Sequence, residues 1–210
     1  MEADFWHQKW QSNEIGFHKS EANPLLVGHF SALGLAAGAR VFVPLCGKTL
    51  DIPWLLAQGM RVAGAELSVL ATEQLFSDMG VTPEVTEVGA LRRYSADGVD
   101  IYAGDIFDLT AAELGAIDAI YDRAALVALP DDMRARYAAH LAKITGRAQQ
   151  LLICFEYDQS RMNGPPFSVS PDEVKRVHGA QYGLATLHSG PMAGGLKGVV
   201  EAEETVWLLR

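Results

Sequence analysis

The sequence predicts an α/β protein built on a mostly parallel β-sheet, and three observations lead to this prediction. From Arg40 onward, short apolar runs rich in Val, Ile and Leu alternate with amphipathic stretches, as in strands joined by crossover helices. The segment 198–210, GVVEAEETVWLLR, instead alternates residue by residue, which predicts an antiparallel edge strand with one exposed face. The length of 210 residues suits one domain with a sizeable core, so we expect residues 1–210 to fold as a single unit.

The N-terminal segment 1–35 precedes the alternating pattern and is expected to be helical. Asn23 and Pro24 are residue types that commonly begin a helix, and the apolar residues after them recur at helical intervals. This spacing predicts a helix of about three turns.

The strands and helices of the alternating region follow in chain order. The apolar runs that predict strands are 40–45, 61–67, 116–129 and 149–158, and the amphipathic stretches that predict helices are 51–59, 68–80, 130–146 and 170–179. Pro130 and Gly146 suit the start and the end of the third helix. Between the second and third runs, Asp97 and Gly98 predict a hairpin turn before a strand that ends at Asp105.

Composition and charge exclude several classes of function. A formal net charge of -9 without a basic patch argues against a nucleic-acid partner. The N-terminus lacks an apolar signal core and no apolar run approaches the roughly 18 residues of a membrane span, so we expect a cytoplasmic protein. The six histidines show no paired ligand spacing, and we expect no metal site. Cys46 and Cys154 lie far apart in apolar runs, which predicts buried, unpaired thiols.

The segment 40–51, RVFVPLCGKTLD, predicts a buried strand, a tight loop and the start of a helix. It contains the Gly-Lys-Thr of a phosphate-binding loop, but Phe42 stands where the first glycine of G-x-x-x-x-G-K-[ST] belongs. Gly47 is the single glycine of the loop, so the dinucleotide motif G-x-G-x-x-G is absent as well. The loop therefore offers no cradle for a pyrophosphate.

Two acidic residues stand at the ends of successive predicted strands. Glu66 closes the second strand about 20 residues after the loop, where an acid that binds ribose hydroxyls usually stands. Asp105 closes the next strand and can hydrogen-bond an adenine edge, which leaves the adenine face to Leu45 and Ile106. A nucleoside without phosphates, such as S-adenosylmethionine, fits these residues and the single glycine, Gly47. The alternative is that both acids only cap the helices after their strands.

Several motifs resemble the thiopurine S-methyltransferase family, and they extend from about Phe5 to Phe167. They are FVPLCGK, AGAEL, IFDL, YDRAALVAL and GPPF, in this order, preceded by WHQKW and GFHK. The resemblance implies a class I S-adenosylmethionine-dependent methyltransferase fold, which is Rossmann-like, with a seven-stranded, mostly parallel sheet and an antiparallel last strand. It also implies that the segment 1–35 covers the cofactor site.

The resemblance implies roles for individual residues in binding the cofactor. Trp10 would close over S-adenosylmethionine from the N-terminal segment, and Leu45 would contact it from the loop. Glu66 would bind the ribose, and Asp105 and Ile106 would flank the adenine. Some relatives have Ser where this chain has Asp105, so the backbone there is the more secure contact.

The resemblance also implies residues for the methyl acceptor. Phe17 matches an aromatic residue that contacts the substrate, and Arg123 matches an arginine near the sulfonium and the acceptor. Arg123 is therefore expected both to bind the cofactor and to act in catalysis. Family members commonly carry another arginine in the loop before the last strands, where this chain offers Lys197. The range of acceptors is open for that reason.

The chemistry of these residue types leaves alternatives for some of them. Trp6, Trp10 and Phe17 form an aromatic group that can attract and desolvate a sulfonium, or that can pack a short helix onto the sheet. Arg123 can hold a thiolate electrostatically, or it can form a salt bridge with Asp122. Loops rich in Gly and Pro at 161–171 and 189–198 are candidates for a lid over the acceptor, or are ordinary surface loops.

The expected function is transfer of a methyl group from S-adenosylmethionine to the sulfur of a small thiol, with S-adenosylhomocysteine as product. The resemblance extends the acceptors to selenium and tellurium species in bacterial relatives and implies a monomer. A nicotinamide-dependent oxidoreductase is the first alternative, because it shares an acid at the second strand, although the triple glycine is absent. A binding module that keeps the cofactor fold without turnover is the second.

Overall fold

The computed structural model describes residues 3–15 and 20–210. Within these ranges the strands form one nine-stranded sheet with the order β3-β4-β5-β2-β1-β6-β7-β9-β8. The strands are β1 Arg40–Pro44, β2 Arg61–Glu66, β3 Glu84–Val88, β4 Leu91–Ala96, β5 Val99–Ala103, β6 Ala119–Arg123, β7 Gln149–Tyr157, β8 Leu184–Pro191 and β9 Ala202–Leu209. The central strands β5, β2, β1, β6 and β7 are parallel, so they all end at one edge of the sheet, here called the carboxyl edge.

The sheet confirms the α/β fold class, but the prediction of seven strands is wrong. The described part of the chain has nine strands, because β3 and β4 extend the sheet beyond the parallel strand β5. Both of their pairings, β3 with β4 and β4 with β5, are antiparallel. The turn predicted at Asp97 and Gly98 does join β4 to β5, and Gly98 has the positive φ, 74°, that such a turn requires.

The last strand is antiparallel, as predicted, but it does not lie at the edge of the sheet. β9 pairs antiparallel with β7 on one side and with β8 on the other, and β8 is the edge strand. The alternating pattern covers only the first half of β9, whereas Val206, Trp207, Leu208 and Leu209 are all buried. A continuous apolar run is typical of an interior strand, and this part of the pattern outweighs the alternation before it.

Helices pack on both faces of the sheet. They are α1 Ala3–Gln11, α2 Pro24–His29, α3 Asp51–Ala57, α4 Val69–Asp78, α5 Ala111–Leu114, α6 Asp131–Ile144 and α7 Pro171–His178. α2 begins as predicted, because Pro24 is its first residue and the side chain of Asn23 accepts the N–H groups of Leu25 and Leu26. It continues as a short 3-10 helix that ends before Gly34, which has a φ of 61°. The predicted three-turn helix is therefore partly 3-10.

Two large hydrophobic clusters, one on each face of the sheet, form most of the core of the described residues, and a small third cluster contains Tyr157, Leu196 and Val200. Phe42, Tyr102 and Tyr137 are buried in one large cluster, and Val41 and Tyr121 are buried in the other large cluster. The two cysteines are buried and unpaired, which confirms that prediction. Each helix of the described ranges is too short or too polar to span a lipid bilayer. Leu45, Gly47, Glu66, Asp105 and Arg123, which the sequence singles out, lie at or directly after strand ends of the carboxyl edge.

Candidate functional site

The loop after β1 contains two backbone positions with unusual conformations. Leu45 has a φ of 46° and Gly47 a φ of 53°, both in the left-handed region. Residues with a Cβ disfavour this region, so Leu45 holds local strain, whereas glycine at position 47 does not. The N–H of Cys46 donates to the carbonyl of Ala65 in β2 over 2.9 Å. This hydrogen bond fixes the loop beside the end of β2.

Trp10 packs directly onto Gly47. A Cβ on Gly47 would lie 3.1 Å from Cζ2 of Trp10, closer than nine in ten Cβ contacts, so a side chain here would force the indole ring to shift. Trp10 is buried, and Trp6 lies four residues earlier on the same face of α1. Trp6 is half-buried, and its ring meets that of Phe5 edge to face with the centroids 5.3 Å apart. The end of α1 therefore covers the loop.

Glu66 is the last residue of β2, and its carboxylate holds the same loop. Oε2 accepts the backbone N–H of Gly47 over 2.7 Å, and Oε1 accepts that of Ser68 over 2.8 Å. Burial raises the pKa of the Glu66 carboxyl, although the backbone N–H groups of Ser68, Gly47 and Leu67 lower it. A carboxylate has about four acceptor positions, so Glu66 retains capacity for a further hydroxyl donor. The structure thus brings Glu66, Gly47 and Trp10 together.

The alternative role of helix capping applies to Asp105 but not to Glu66. Ser68, rather than Glu66, is the N-cap of α4. Asp105 is the N-cap of the 3-10 helix Ile106–Asp108, and its Oδ1 accepts the N–H of Phe107 over 3.0 Å. Asp105 is exposed, so capping does not occupy its whole carboxylate.

His140, on α6, is a contact of the candidate adenine region that the sequence did not reveal. Its Nε2 hydrogen-bonds the carbonyl of Ile106 over 2.7 Å, and Ile106 is buried. The ring also meets Phe107 edge to face at 5.4 Å. Burial lowers the pKa of His140, so the ring that donates to the carbonyl is neutral at neutral pH. A histidine within a helical pattern gives no signal of this contact.

Arg123 ends β6 at the carboxyl edge and is half-buried. The alternative of a salt bridge with Asp122 is wrong, because the ion pairs within residues 3–15 and 20–210 include none between the two. Asp122 is instead fully buried, and its oxygens accept the hydroxyl of Tyr137 over 2.8 Å and the N–H of Leu126 over 3.1 Å. Neighbouring residues of an extended strand point to opposite faces, which separates the pair.

The two loops rich in Gly and Pro contact each other. Nζ of Lys197 donates to the carbonyl of Pro165 over 3.1 Å. The hydroxyl of Tyr157, at the end of β7, donates to the carbonyl of Pro166 over 2.6 Å. Lys197 is exposed, and its ammonium thus joins one loop to the other.

The first of these loops also reaches the segment after Arg123. The N–H of Phe167 donates to the carbonyl of Val127 over 2.6 Å. Val127 belongs to the 3-10 helix Leu126–Ala128, three residues after β6 ends. The predicted lid region is therefore hydrogen-bonded to the segment that follows Arg123. Phe17, the predicted acceptor contact, and His18 beside it lie outside the described residues.

Asp51 and Tyr121 are two further buried polar residues that the sequence did not single out. The hydroxyl of Tyr121, on β6, donates to Oδ2 of Asp51, at the start of α3, over 2.9 Å. An acid at the start of a helix indicates an N-terminal charge effect, and a tyrosine in an apolar strand indicates core packing. These local interpretations hide the pairing, because the partners are 70 residues apart.

Comparison with solved structures identifies the class of fold. A Burkholderia thailandensis 1,6-didemethyltoxoflavin-N1-methyltransferase with bound S-adenosylhomocysteine matches with a TM-score of 0.66 and 16% identity, over 99% of this chain and 86% of that one. A methyltransferase from Anabaena variabilis, described as SAM-dependent, matches with a TM-score of 0.62 and 14% identity, over 99% and 95%. The chain therefore has the fold of the S-adenosylmethionine-dependent methyltransferases.

Comparison of sequences is more specific. The family model for thiopurine S-methyltransferase matches residues 1–210. A thiopurine S-methyltransferase of Xanthobacter autotrophicus is 61% identical over all of this chain and 99% of its own length, and one of Acinetobacter baylyi is 46% identical over 100% and 98%. The chain belongs to the thiopurine S-methyltransferase family. These matches lend no support to the nicotinamide-dependent oxidoreductase or to the binding module without turnover.

Proposed function

We propose that this chain transfers the methyl group of S-adenosylmethionine to the sulfur of small aromatic or heterocyclic thiols of the thiopurine type. The observation that carries the proposal is the arrangement of Glu66, Gly47 and Trp10, in which a buried carboxylate and an indole meet at a loop without a phosphate cradle. This arrangement occurs in a chain that matches the thiopurine S-methyltransferase family over its whole length.

The described residues fit S-adenosylmethionine. Glu66 would hold the ribose hydroxyls, since its oxygens are fixed by backbone N–H groups and retain acceptor capacity. Asp105 and Ile106 would flank the adenine, and Leu45 would contact it from the loop. Gly47 admits the indole of Trp10, which a side chain at this position would displace. When bound, the cofactor supplies an electrophilic methyl group on a positively charged sulfur.

Trp6 and Trp10 would exclude water from that sulfur. Aromatic faces attract a cation and desolvate it, and the two rings lie one turn apart on the same face of α1. A low dielectric favours a reaction in which a thiolate and a sulfonium cancel their charges. Covering the site and packing α1 are thus compatible roles for the same side chains.

Arg123 would stabilise the acceptor as its thiolate. Its guanidinium stays protonated and cannot act as a base, so its contribution is electrostatic and orientational. Aryl thiols ionise near neutral pH, so the proposal requires no separate general base. Phe17 is proposed as the acceptor contact from the N-terminal segment, on the family resemblance alone.

The proposal includes finer statements that depend on the resemblance and the composition. Selenolates, and tellurium species, are softer nucleophiles than thiolates and are proposed as further acceptors at the same centre. We propose a cytoplasmic monomer in which residues 1–210 form one methyltransferase domain and residues 1–35 cover the cofactor site. The net charge of -9 disfavours a nucleic-acid partner.

Two measurements test the function and the ribose assignment separately. Methyl transfer from labelled S-adenosylmethionine to an aromatic thiol tests the activity, and its absence would contradict the proposal. Calorimetry tests the ribose contact: we expect Glu66→Gln to weaken S-adenosylhomocysteine binding by about 1–3 kcal/mol, the cost of leaving charged hydrogen-bond partners unmatched. Glu84→Gln, on the exposed edge strand β3, is the control and should bind like the wild type. Undiminished binding by Glu66→Gln would exclude the ribose role.

A further inference from the structure

Asp51 is a buried carboxylate whose hydrogen-bond donors are both neutral. It is 1% exposed. Oδ1 accepts the backbone N–H of Asn23 over 2.7 Å, and Oδ2 accepts the hydroxyl of Tyr121 over 2.9 Å. Throughout the part of the chain that the structure describes, the ion pairs do not include Asp51. Burying a carboxylate without a cation is costly, so a nearby positive charge is valuable to it.

Arg123 is a candidate for that charge. Tyr121 and Arg123 are two residues apart on β6, so their side chains leave the strand on the same face. Burial raises the pKa of Tyr121 well above its usual value, Asp51 raises it further, and the positive charge of Arg123 lowers it. The Tyr121 hydroxyl therefore contacts the Asp51 carboxylate, and its side chain shares one face of β6 with that of Arg123. Arg123 has no ion pair with any other residue of the described ranges.

The three side chains also connect the elements that form the candidate site. Asp51 begins α3 directly after the loop that carries Leu45 and Gly47, and Arg123 ends β6 at the carboxyl edge. Tyr121 is 1% exposed and thus has one fixed environment. A buried ring with its hydroxyl bonded to a buried carboxylate gives a rigid reference point for the flexible arginine two residues further on.

We propose that Asp51, through the hydroxyl of Tyr121, is a positioning residue that orients Arg123 toward the methyl acceptor. This inference rests on the proposed function. It adds that Asp51 and Tyr121 together set the orientation of the Arg123 guanidinium. Neither Asp51 nor Tyr121 contacts the reacting atoms. Without the hydroxyl, Oδ2 of Asp51 would lack its donor, and the guanidinium of Arg123 would turn toward the carboxylate and away from the acceptor.

A double-mutant cycle tests this positioning role against a purely structural one. Tyr121→Phe keeps the ring and removes the hydroxyl, and Arg123→Lys keeps the cation and removes the planar fork of donors. We expect Tyr121→Phe to lower kcat/KM for an aromatic thiol about tenfold in the wild-type background, the scale of a small misplacement. In the Arg123→Lys background the same change should cost less than about twofold, because the residue through which Tyr121 acts is already altered.

Controls separate the possible failures. Tyr102, on β5, is a buried tyrosine whose hydroxyl donates to the carbonyl of Glu113 over 2.8 Å. Tyr102→Phe therefore also removes a hydroxyl from a buried tyrosine, and it should leave kcat/KM unchanged. Asp51→Asn removes the carboxylate toward which Arg123 would turn in Tyr121→Phe, so adding it to that variant should restore part of the lost kcat/KM, with thermal unfolding recorded for every variant. Equal losses for Tyr121→Phe in both backgrounds, or no loss in the wild type, would overturn the inference and leave the methyltransferase function standing. A wild-type chain without methyl transfer would overturn both.

Discussion

Gly47 and Trp10 show that the loop after β1, which has a single glycine, is covered by the packing of an indole ring. The φ of Gly47 is 53°, and the indole lies 3.1 Å from the place where a Cβ would stand. The same glycine donates its N–H to Glu66. One residue therefore provides the left-handed backbone conformation and a hydrogen-bond donor, and its lack of a side chain admits the indole.

Replacement of Gly47 should separate backbone strain from the loss of that space. We expect Gly47→Ala to lower the free energy of unfolding by about 1–2 kcal/mol for the left-handed backbone and, in addition, to displace Trp10. S-adenosylhomocysteine binding, measured by calorimetry, should weaken about tenfold or more if displacement of the indole removes a contact of about 1.4 kcal/mol.

Gly146 offers a matched control for this experiment. It also has a positive φ, 63°, but a Cβ there would meet nothing within 4 Å. Gly146→Ala should therefore show a similar loss of stability with unchanged ligand binding. If the two variants bound S-adenosylhomocysteine equally well, the contact between Trp10 and the loop would have no part in binding.

Sequence reasoning predicted that two residues lie close together only where the strand or loop that carries each residue determines its place. Glu66 and Gly47 meet because a strand end and the loop after the neighbouring strand lie at the same edge. Asp51 and Tyr121 were not predicted, because a hydrogen bond between residues 70 positions apart depends on the packing of α3 against β6. Periodicity gives the face of an element, but it does not give the partner across a core.

At the scale of whole elements, the sequence revealed the parallel strands and missed those at the margins. β3 and β8 are the two edge strands, and most of their residues are exposed or half-buried. Edge strands bury little apolar surface, so their sequences lack the runs from which strands are predicted. The error of placing β9 at the edge follows directly, since β8 had not been recognised beyond it.

The pairing of β7 with β9 contains an unfavourable contact that a substitution can relieve. Glu156 and Glu203 are directly opposite each other in the register of the two strands. Like charges in this position are destabilising, and a favourable pair contributes roughly 0.2–1 kcal/mol. We expect Glu156→Lys to raise the free energy of unfolding by roughly this amount at low ionic strength, as measured by urea denaturation.

Glu156→Gln is the control for this substitution, because it removes the repulsion without adding an attraction. It should have an intermediate stability, and the differences between the three proteins should shrink as salt screens the charges. Three equal stabilities at low salt would show that solvent already screens this pair.

At the scale of the whole molecule, two buried titratable groups on the same face of the sheet should give opposite responses to acid. Burial raises the pKa of Asp122 to about 6 and lowers the pKa of His178 to about 4. Both side chains are fully buried. Asp122 contacts Tyr137 and Leu126, and His178 ends α7 with its ring 6.2 Å from that of Tyr182.

The signs follow from comparing the folded and unfolded chains. As the pH falls from 6 toward 4, folded Asp122 takes up a proton that the unfolded chain does not bind, so this carboxyl stabilises the fold increasingly. Over the same window the unfolded chain protonates His178 and the folded chain does not, so this ring destabilises the fold increasingly. The two contributions nearly cancel in the wild type.

Single substitutions should expose each contribution. We expect the free energy of unfolding of Asp122→Asn, relative to the wild type, to decrease as the pH falls from 6 to 4.5, on the order of 1 kcal/mol for each pH unit. His178→Phe, which keeps a ring against Tyr182, should show a relative increase of similar size. Urea denaturation at several pH values measures both, and comparison with the wild type removes the titration of all other groups. Because only the slopes are compared, a constant loss of stability in either variant does not matter, whereas parallel curves for all three proteins would contradict both assignments.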